Sequence, residues 1–439
     1  MTNILPVPDT KPRYYIWTIG CQMNRAESER LAHLLEERGY QAAAVPDAAD
    51  IIILNSCVVR EHAENRVVNR LHLLRPLKKK HANVTLALTG CMVDSNIDEM
   101  KKEFPHIDHF FKPGEIPSWL EKMEKAACDR ECLGTTKPGS VCAFVPIIQG
   151  CDQFCTYCIV PYRRGRERSR PVAEIVAEAE ELAKSGIREI TLVGQNVDAY
   201  GHDLPGKPDL AGLLQELEKV DGLFRLRFLT NHPKDMSSRL IDAIARQGKV
   251  CKQVNLPVQA GSDDILSAMK RGYSAEQYRL LISEIRLKVP GIALSTDVIV
   301  GFPGETVEYF EQTVRLLTEL KFDAVHIAAY SPRQATVAAL KFTDDVTPAE
   351  KKRRLAIIEK MQTEIAAGIN AAFSGRTVEV LVEGKEKDSW YGRTRNNKLV
   401  FISEFVGQPG DLVDVLIDRT GPWSLRGKIN SGENHERKK

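Results

Sequence analysis

The chain has no long apolar run. Of its 439 residues 43% are hydrophobic, yet no stretch approaches the roughly 20 consecutive apolar residues of a membrane-spanning helix, so a membrane protein is not expected. It also has almost no excess of either charge. Sixty-one basic and 59 acidic residues leave a net charge of +2, so overall charge identifies no nucleic-acid partner, and any such partner must be recognised by a local patch. The opening MTNILPVPDTKPR lacks the charged and apolar regions of a secretory signal. The expected location is therefore cytoplasmic, where a reducing environment makes the ten cysteines ligands rather than disulfides. At roughly 150 residues per domain the length predicts about three domains.

Six of those cysteines fall into two sets. Cys151, Cys155 and Cys158 lie in GCDQFCTYC, where one loop can present three thiolates and leave one iron of a four-iron cluster open, since a complete shell takes four cysteines. Zinc is disfavoured, because no second CxxC and no His knuckle follows. Cys21, Cys57 and Cys91 are scattered, but each closes a short apolar run rich in strand-forming residues: YYIWTIG, DIIILNS and VTLALTG. Helical stretches, AESERLAHLLEERG and EHAENRVVNRLHLL, follow the first two. The spacings of 36 and 34 residues match one strand-helix unit returning to a parallel neighbour. Parallel strands then deliver all three thiols to one carboxyl edge, where open α/β sheets bind ligands. Small buried cysteines are common at strand ends, but three successive strands ending this way favour a ligand set. Cys128, Cys132, Cys142 and Cys251 fit no ligand pattern and are expected to be unpaired thiols.

The rest of the chain reads as two more domains. From about residue 113 to 140, prolines and glycines interrupt a short helix, as in a linker. Six strand-like runs follow, CAFVPII, EITLVG, FRLRFLT, QVNLPVQ, ALSTDVIVG and AVHIAAYS, alternating with helical stretches, which predicts a partial parallel (βα)6 TIM barrel. After a long polar helix, RTVEVLVEG, WYGRTR, KLVFIS, DLVDVLID and SLRGKI predict a small β-barrel of OB-like type. The expected architecture is α/β throughout the first two parts: a Rossmann/flavodoxin-like parallel sheet at 12–128, the partial barrel at 137–368 and the small β-barrel at 371–433.

The CxxxCxxC loop, with Tyr157 before its last cysteine, resembles the signature of the radical S-adenosylmethionine (SAM) superfamily. The blocks GCQMNRAESE, LNSCVVREHAENRV, TGCM, QGCDQFCTYCIVPYRRGRERSRP, VGQNVDAYG, LPVQAGSDDIL and STDVIVGFPGET together resemble the methylthiotransferase family of radical SAM enzymes, in that family's order and over nearly the whole chain. Cys-Gln-Met-Asn at 21–24 is closest to the branch acting on N6-dimethylallyladenosine of tRNA. The resemblance implies two [4Fe-4S] clusters, an auxiliary one on Cys21, Cys57 and Cys91 and a SAM-cleaving one on Cys151, Cys155 and Cys158. One SAM would methylate a sulfur on the auxiliary cluster. A second would give the radical that removes hydrogen from C2 of the adenine next to the anticodon on its 3′ side. The resemblance also implies SAM contacts from Tyr157, from Gly194, Gln195 and Asn196, where many members have Gly-Gly-Glu, and from Gly301 and Glu305. No side chain is expected as an acid or base. Partners implied are tRNA, an external electron donor and a sulfur donor, with the enzyme a monomer. Asn231, Ala260 and Ala335 depart from residues common in the family, a serine in the first two cases and a glycine in the last.

Two basic regions are candidates for RNA contact. Arg163, Arg164, Arg166 and Arg168 follow the compact cysteine loop, and the planar fork of arginine suits phosphate. The terminal strands resemble a TRAM domain, an RNA-binding module, in which Arg393 and Arg395 are candidate contacts and Trp390 and Tyr391 can stack on bases or fill the barrel. Two other functions fit the residues: a sibling methylthiotransferase acting on threonylcarbamoyladenosine or on a ribosomal-protein aspartate, and a non-catalytic RNA-binding iron–sulfur protein.

Overall fold

A computed structural model of the chain describes residues 11–58, 61–93, 96–123, 139–246 and 248–430; Cys128 and Cys132 lie outside them. Two compact units divide between residues 137 and 138. The first is a five-stranded parallel sheet made of β1 (Arg13–Thr18), β2 (Gln41–Ala42), β3 (Ile51–Ser56), β4 (Thr85–Gly90) and β5 (His109–Phe110), in the order β2-β1-β3-β4-β5. Two helices, α1 (Gln22–Glu36) and α2 (Glu61–Lys80), make the first returns. Every residue of β3 is buried, as a central strand covered on both faces requires. Its alternate side chains enter different cores: Ile52 and Leu54 pack with Leu86 and Leu88, whereas Ile51 and Ile53 pack with Leu31 and Leu35 of α1. The Rossmann-like expectation holds here, with the three cysteine-bearing strands side by side.

In the second unit, β6 (Cys142–Pro146), β9 (Glu189–Val193) and β10 (Arg225–Phe228) pair in parallel, as do β11 (Gln253–Asn255), β12 (Ala293–Val300) and β13 (Ala324–Ala329). A parallel bridge between Leu226 and Val250 links the two triplets. The result is a six-stranded curved sheet, a partial barrel, with its largest core between strands and covering helices. A short antiparallel pair, β7 (Ile148–Gln149) with β8 (Arg168–Ser169), sits beyond the end of β6. A 24-residue helix, Pro348–Ala371, capped by Thr347, leads to a closed barrel of β14 (Thr377–Glu386), β15 (Ser389–Thr394), β16 (Leu399–Ser403), β18 (Leu425–Ile429) and β17 (Leu412–Thr420). Among the described residues no helix is long and apolar enough to cross a membrane.

The small barrel is fixed to the amino ends of the larger barrel's strands. Arg225 and Arg227 alternate on β10 and are 0% and 4% exposed. Arg227 Nε donates to Glu189 Oε1 at 2.7 Å, and its other nitrogens donate to the carbonyls of Thr394 (2.8 Å) and Arg395 (2.9 Å). Arg225 donates to the carbonyl of Arg393 (2.6 Å) and to Glu379 (2.8 Å). The Lys398–Asp323 ion pair at 2.6 Å completes the joint. Buried guanidinium groups carry a large desolvation cost unless their donors are met; here Glu189, Glu379 and the backbone oxygens of Arg393, Thr394 and Arg395 meet most of them, and Arg225 Nε is left without a protein partner. Cys142 and Cys251 lie beside this network; burial, the largest cause, raises both thiol pKa values.

Arg227→Leu would strand Glu189 and two carbonyls. The expected cost is about 3–5 kcal/mol, read as a lowered calorimetric transition of the full chain and separate melting of the small barrel; an unchanged thermogram would contradict the joint.

Candidate functional site

At the carboxyl edge of the first sheet, Cys21, Cys57 and Cys91 follow β1, β3 and β4. Cys21 is the N-cap of α1 and exposed; Cys57 and Cys91 are buried. Adjacent strands lie about 4.8 Å apart, so the three thiols occupy neighbouring positions along the edge. Two glycines make this approach possible. A Cβ on Gly20 (φ +142°) would stand 2.9 Å from Cys57 Cβ, and one on Gly90 (φ +93°) 2.2 Å from the Ser56 carbonyl.

Beneath the thiols lies a buried polar network. Asn24, at 0% exposure, accepts from the Cys21 backbone N–H (3.3 Å) and from its thiol (3.2 Å), and donates to Asn55 (2.8 Å) and the Ser56 carbonyl (3.0 Å). Asn55 returns a bond to the Asn24 carbonyl and another to Ser28. Ser56 Oγ donates to the Thr89 carbonyl and accepts from Met92 N–H. One connected network therefore joins the ends of all three strands, and such networks fix position when fully satisfied.

In the partial barrel the loop after β7 carries Cys151, Cys155 and Cys158. Phe154 takes a left-handed conformation (φ 48°), which turns the loop between the first two cysteines. Thr156 anchors it, donating to the carbonyls of Met269 (3.1 Å) and Ala268 (2.8 Å), while its own carbonyl accepts from Ala338 N–H. Gln195 Oε1 accepts from Gly150 N–H at 2.6 Å. Burial pushes the Cys151 and Cys158 thiols up to about 12, so a metal binding there must displace protons. Among the described residues no three His, Cys, Asp or Glu side chains close round a single ion. A four-iron cluster asks for a different pattern, one thiolate for each of three irons. Each set contributes three cysteines, and the N-terminus of the 15-residue α1 adds partial positive charge beside Cys21, which suits an anionic group there.

Beyond the loop, Asp235 accepts from Gln153 (2.7 Å) and Asn196 (2.7 Å). The Oδ1 of buried Asn196 has no protein partner, an acceptor that fits the ammonium group of SAM. Asp198 accepts from the Asn231 side chain and from His232 N–H (3.0 Å). Burial pushes Asp198 up to about 7 and, helped by Arg271 and Lys234, holds His232 down to about 3. This polar group was not legible in the sequence, apart from the clustering of polar residues in VGQNVD and TNHPKD.

Other expected site residues have internal partners. Glu305 accepts from Gly301 N–H at 2.5 Å and Arg354 at 2.7 Å, a buried ion pair facing the long helix. A Cβ on Gly301 would meet Lys351 at 2.4 Å, and one on Gly194 would meet Ile148 at 2.4 Å, so both glycines have packing reasons. Ala335 holds φ 71°, which explains the glycine usual there.

The arginines divide. Arg166 grips Asp152 (2.6 and 3.0 Å) and stacks over Phe154 at 5.3 Å, bracing the cysteine loop. Arg164 is buried, Arg163 half-buried and Arg168 exposed. Arg395, expected at an RNA surface, donates to the carbonyls of Gly248 and Val250 (3.1 Å), and Arg393 pairs with Glu383 (3.4 Å). Both guanidinium groups are thus engaged by protein acceptors in or near the joint. Trp390 packs edge-on against Phe405 within the small barrel.

A partial parallel barrel with CxxxCxxC beyond its first strand defines a radical SAM protein. The Radical SAM superfamily model matches residues 145–317, Uncharacterized protein family UPF0004 matches 13–112 and the TRAM domain 371–429. Among solved structures the fold is similar to the radical SAM methyltransferase TsrM from Kitasatospora setae (TM-score 0.54, 16% identity, 76% of this chain and 78% of that one). Over 95% of its length the chain is 53% identical to a tRNA-2-methylthio-N6-dimethylallyladenosine synthase of Dehalococcoides mccartyi, covering 98% of that protein. It is 47% identical to one of Roseiflexus over 95% of its length and 89% of the relative. The chain belongs to the tRNA-2-methylthio-N6-dimethylallyladenosine synthase family of radical SAM proteins.

The raised pKa of Asp198 has a pH consequence. Its ordinary value is 3.8 and its folded value about 7, so its stabilising effect is full below about 4 and lost as pH rises through 7. Asp198→Asn cannot ionise. Relative to the parent it should gain up to roughly 4 kcal/mol in unfolding free energy between pH 4 and pH 8, at about 1.4 kcal/mol per unit; a pH-independent difference in urea titrations would contradict this.

Proposed function

We propose that the chain is a tRNA methylthiotransferase that adds a methylthio group to C2 of N6-dimethylallyladenosine next to the anticodon, giving 2-methylthio-N6-dimethylallyladenosine. The observation that carries this reading is the 53% identity, spanning all but 5% of the chain, to a relative bearing that name. The expected limits of the three parts are 12–128, 137–368 and 371–433.

The ligands in this reading are Cys151, Cys155 and Cys158 for the SAM-binding cluster and Cys21, Cys57 and Cys91 for an auxiliary one. Bound SAM and its cluster supply the hydrogen abstraction that an aromatic C–H, with no proton acidic enough for an ordinary side-chain base, requires. The residues of the chain position the reactants. Gln195 and Thr156 hold the loop, Asn196 Oδ1 would accept from the SAM ammonium, and Asn24 fixes the Cys21 edge. Exposed Arg168, with Arg163 and Arg164 close by in sequence, offers phosphate contact for tRNA. The electron donor is external, a sulfur donor takes part, the protein acts as a monomer, and its place is the cytoplasm, where tRNA is modified.

Incubating the anaerobically reconstituted chain with reductant, SAM and tRNA lacking the modification should yield the methylthio nucleoside on digestion and mass spectrometry. Cys21→Ala should abolish it while 5′-deoxyadenosine still forms, and Cys155→Ala should abolish both. Product that survives Cys21→Ala would refute the auxiliary role; methylthiolated threonylcarbamoyladenosine or ribosomal peptide instead would assign the chain to a sibling activity.

A further inference from the structure

Arg271 is a buried cation with no acidic partner. It is 4% exposed, and all its hydrogen bonds go to uncharged oxygens or to sulfur. Nε donates to Tyr273 OH (2.9 Å), Nη2 to the Pro257 carbonyl (2.9 Å) and Nη1 to Cys155 Sγ (3.3 Å). Among the described residues no Asp or Glu forms an ion pair with it. The neighbouring imidazole of His232, packed edge-on against Tyr273 at 5.9 Å, bears no negative charge. Of the acids beside His232, Asp198 accepts from its backbone N–H (3.0 Å) and from Asn231, and Asp235, 4.0 Å from the ring, is taken by Gln153 and Asn196.

A guanidinium cannot lose its proton in a protein, and a buried one without a counter-ion is costly. The contact able to carry negative charge is the Cys155 sulfur, once it is a thiolate. Tyr273 braces the arrangement from the far side, its hydroxyl lying 2.9 Å from the Val258 carbonyl and 3.2 Å from that of Pro257. The fork is therefore held in place whether or not the sulfur is charged.

We propose that Arg271 is the built-in counter-charge of the cluster held by Cys151, Cys155 and Cys158, a positioning residue that donates N–H to the Cys155 sulfur and raises the cluster's reduction potential. The inference rests on reading those three cysteines as cluster ligands. Reduction adds one electron from the external donor and no proton, so the reduced cluster carries one more negative charge than the oxidised one. A fixed cation beside a ligand sulfur stabilises that state more, and hydrogen bonds to sulfur are among the determinants of cluster potentials.

The test uses the full chain, anaerobically reconstituted, with redox titration followed by electron paramagnetic resonance. Arg271→Met should lower the ratio of reduced to oxidised cluster at a fixed potential about tenfold, a shift of about 59 mV to the negative for one electron. Arg271→Lys, which keeps the charge but not the fork, should fall between. Loss of iron from the Met variant alone, with both cluster-free variants melting as the parent does, also supports the proposal. A folded, fully loaded Met variant with the parental potential overturns it. So does collapse of both cluster-free variants, which would make Arg271 a structural residue. Iron content of the parent and of Cys155→Ala is measured first: a cluster unaffected by Cys155→Ala would refute the ligand reading, separately from the role of Arg271.

Discussion

Parallel strand pairing is the constraint on which the rest of the molecule depends. In a parallel sheet every strand ends at the same edge, so residues placed just after successive strands gather without any contact between them in sequence. Cys21, Cys57 and Cys91 follow three strands that are adjacent in the sheet, and the glycines before Cys21 and Cys91 remove the Cβ atoms that would hold the strand ends apart. In the partial barrel the compact cysteine loop likewise follows the first strand. The amino edge of that barrel does another job: its charges are paired with each other and with the backbone of the small barrel. Chain direction thus separates chemistry from cohesion, the division known for complete barrels.

The two cysteine sets, the parallel strands that precede Cys21, Cys57 and Cys91 and the small terminal β-barrel were legible because periodicity and spacing are local properties of the sequence. The joint was not. FRLRFLT reads as a strand, but a buried parallel strand interrupted by two arginines at alternate positions needs partners, and those of Arg225 and Arg227 lie up to 168 residues away. The same long range bears on Arg395, whose Nη2 donates to the carbonyls of Gly248 and Val250 across about 145 residues of sequence. Glu305 illustrates the reverse case. A carboxylate in a glycine-rich strand end looks like a cofactor contact, and only the packing of the Pro348–Ala371 helix shows that Arg354 holds one of its oxygens, Oε2, while Oε1 has no protein partner.

Electrostatics at the two cysteine sets differ in kind. Around Cys21 the hydrogen-bonding groups of Asn24, Asn55, Ser28 and Ser56 are neutral amides and hydroxyls, linked into one network that fixes geometry. Around Cys155 a buried guanidinium waits beside sulfur, and burial keeps the flanking thiols protonated until a metal displaces the protons. In the proposed reaction one site accepts an electron and the other holds a sulfur for transfer, roles that call for different surroundings.

The central claim is that the two edges hold separate clusters. Iron counted per chain after anaerobic reconstitution tests it most directly. Two four-iron clusters predict about eight irons in the parent and about four after replacing either Cys21, Cys57 and Cys91 together or Cys151, Cys155 and Cys158 together with alanine. Iron unchanged by the first triple replacement, in a folded protein, would contradict the claim.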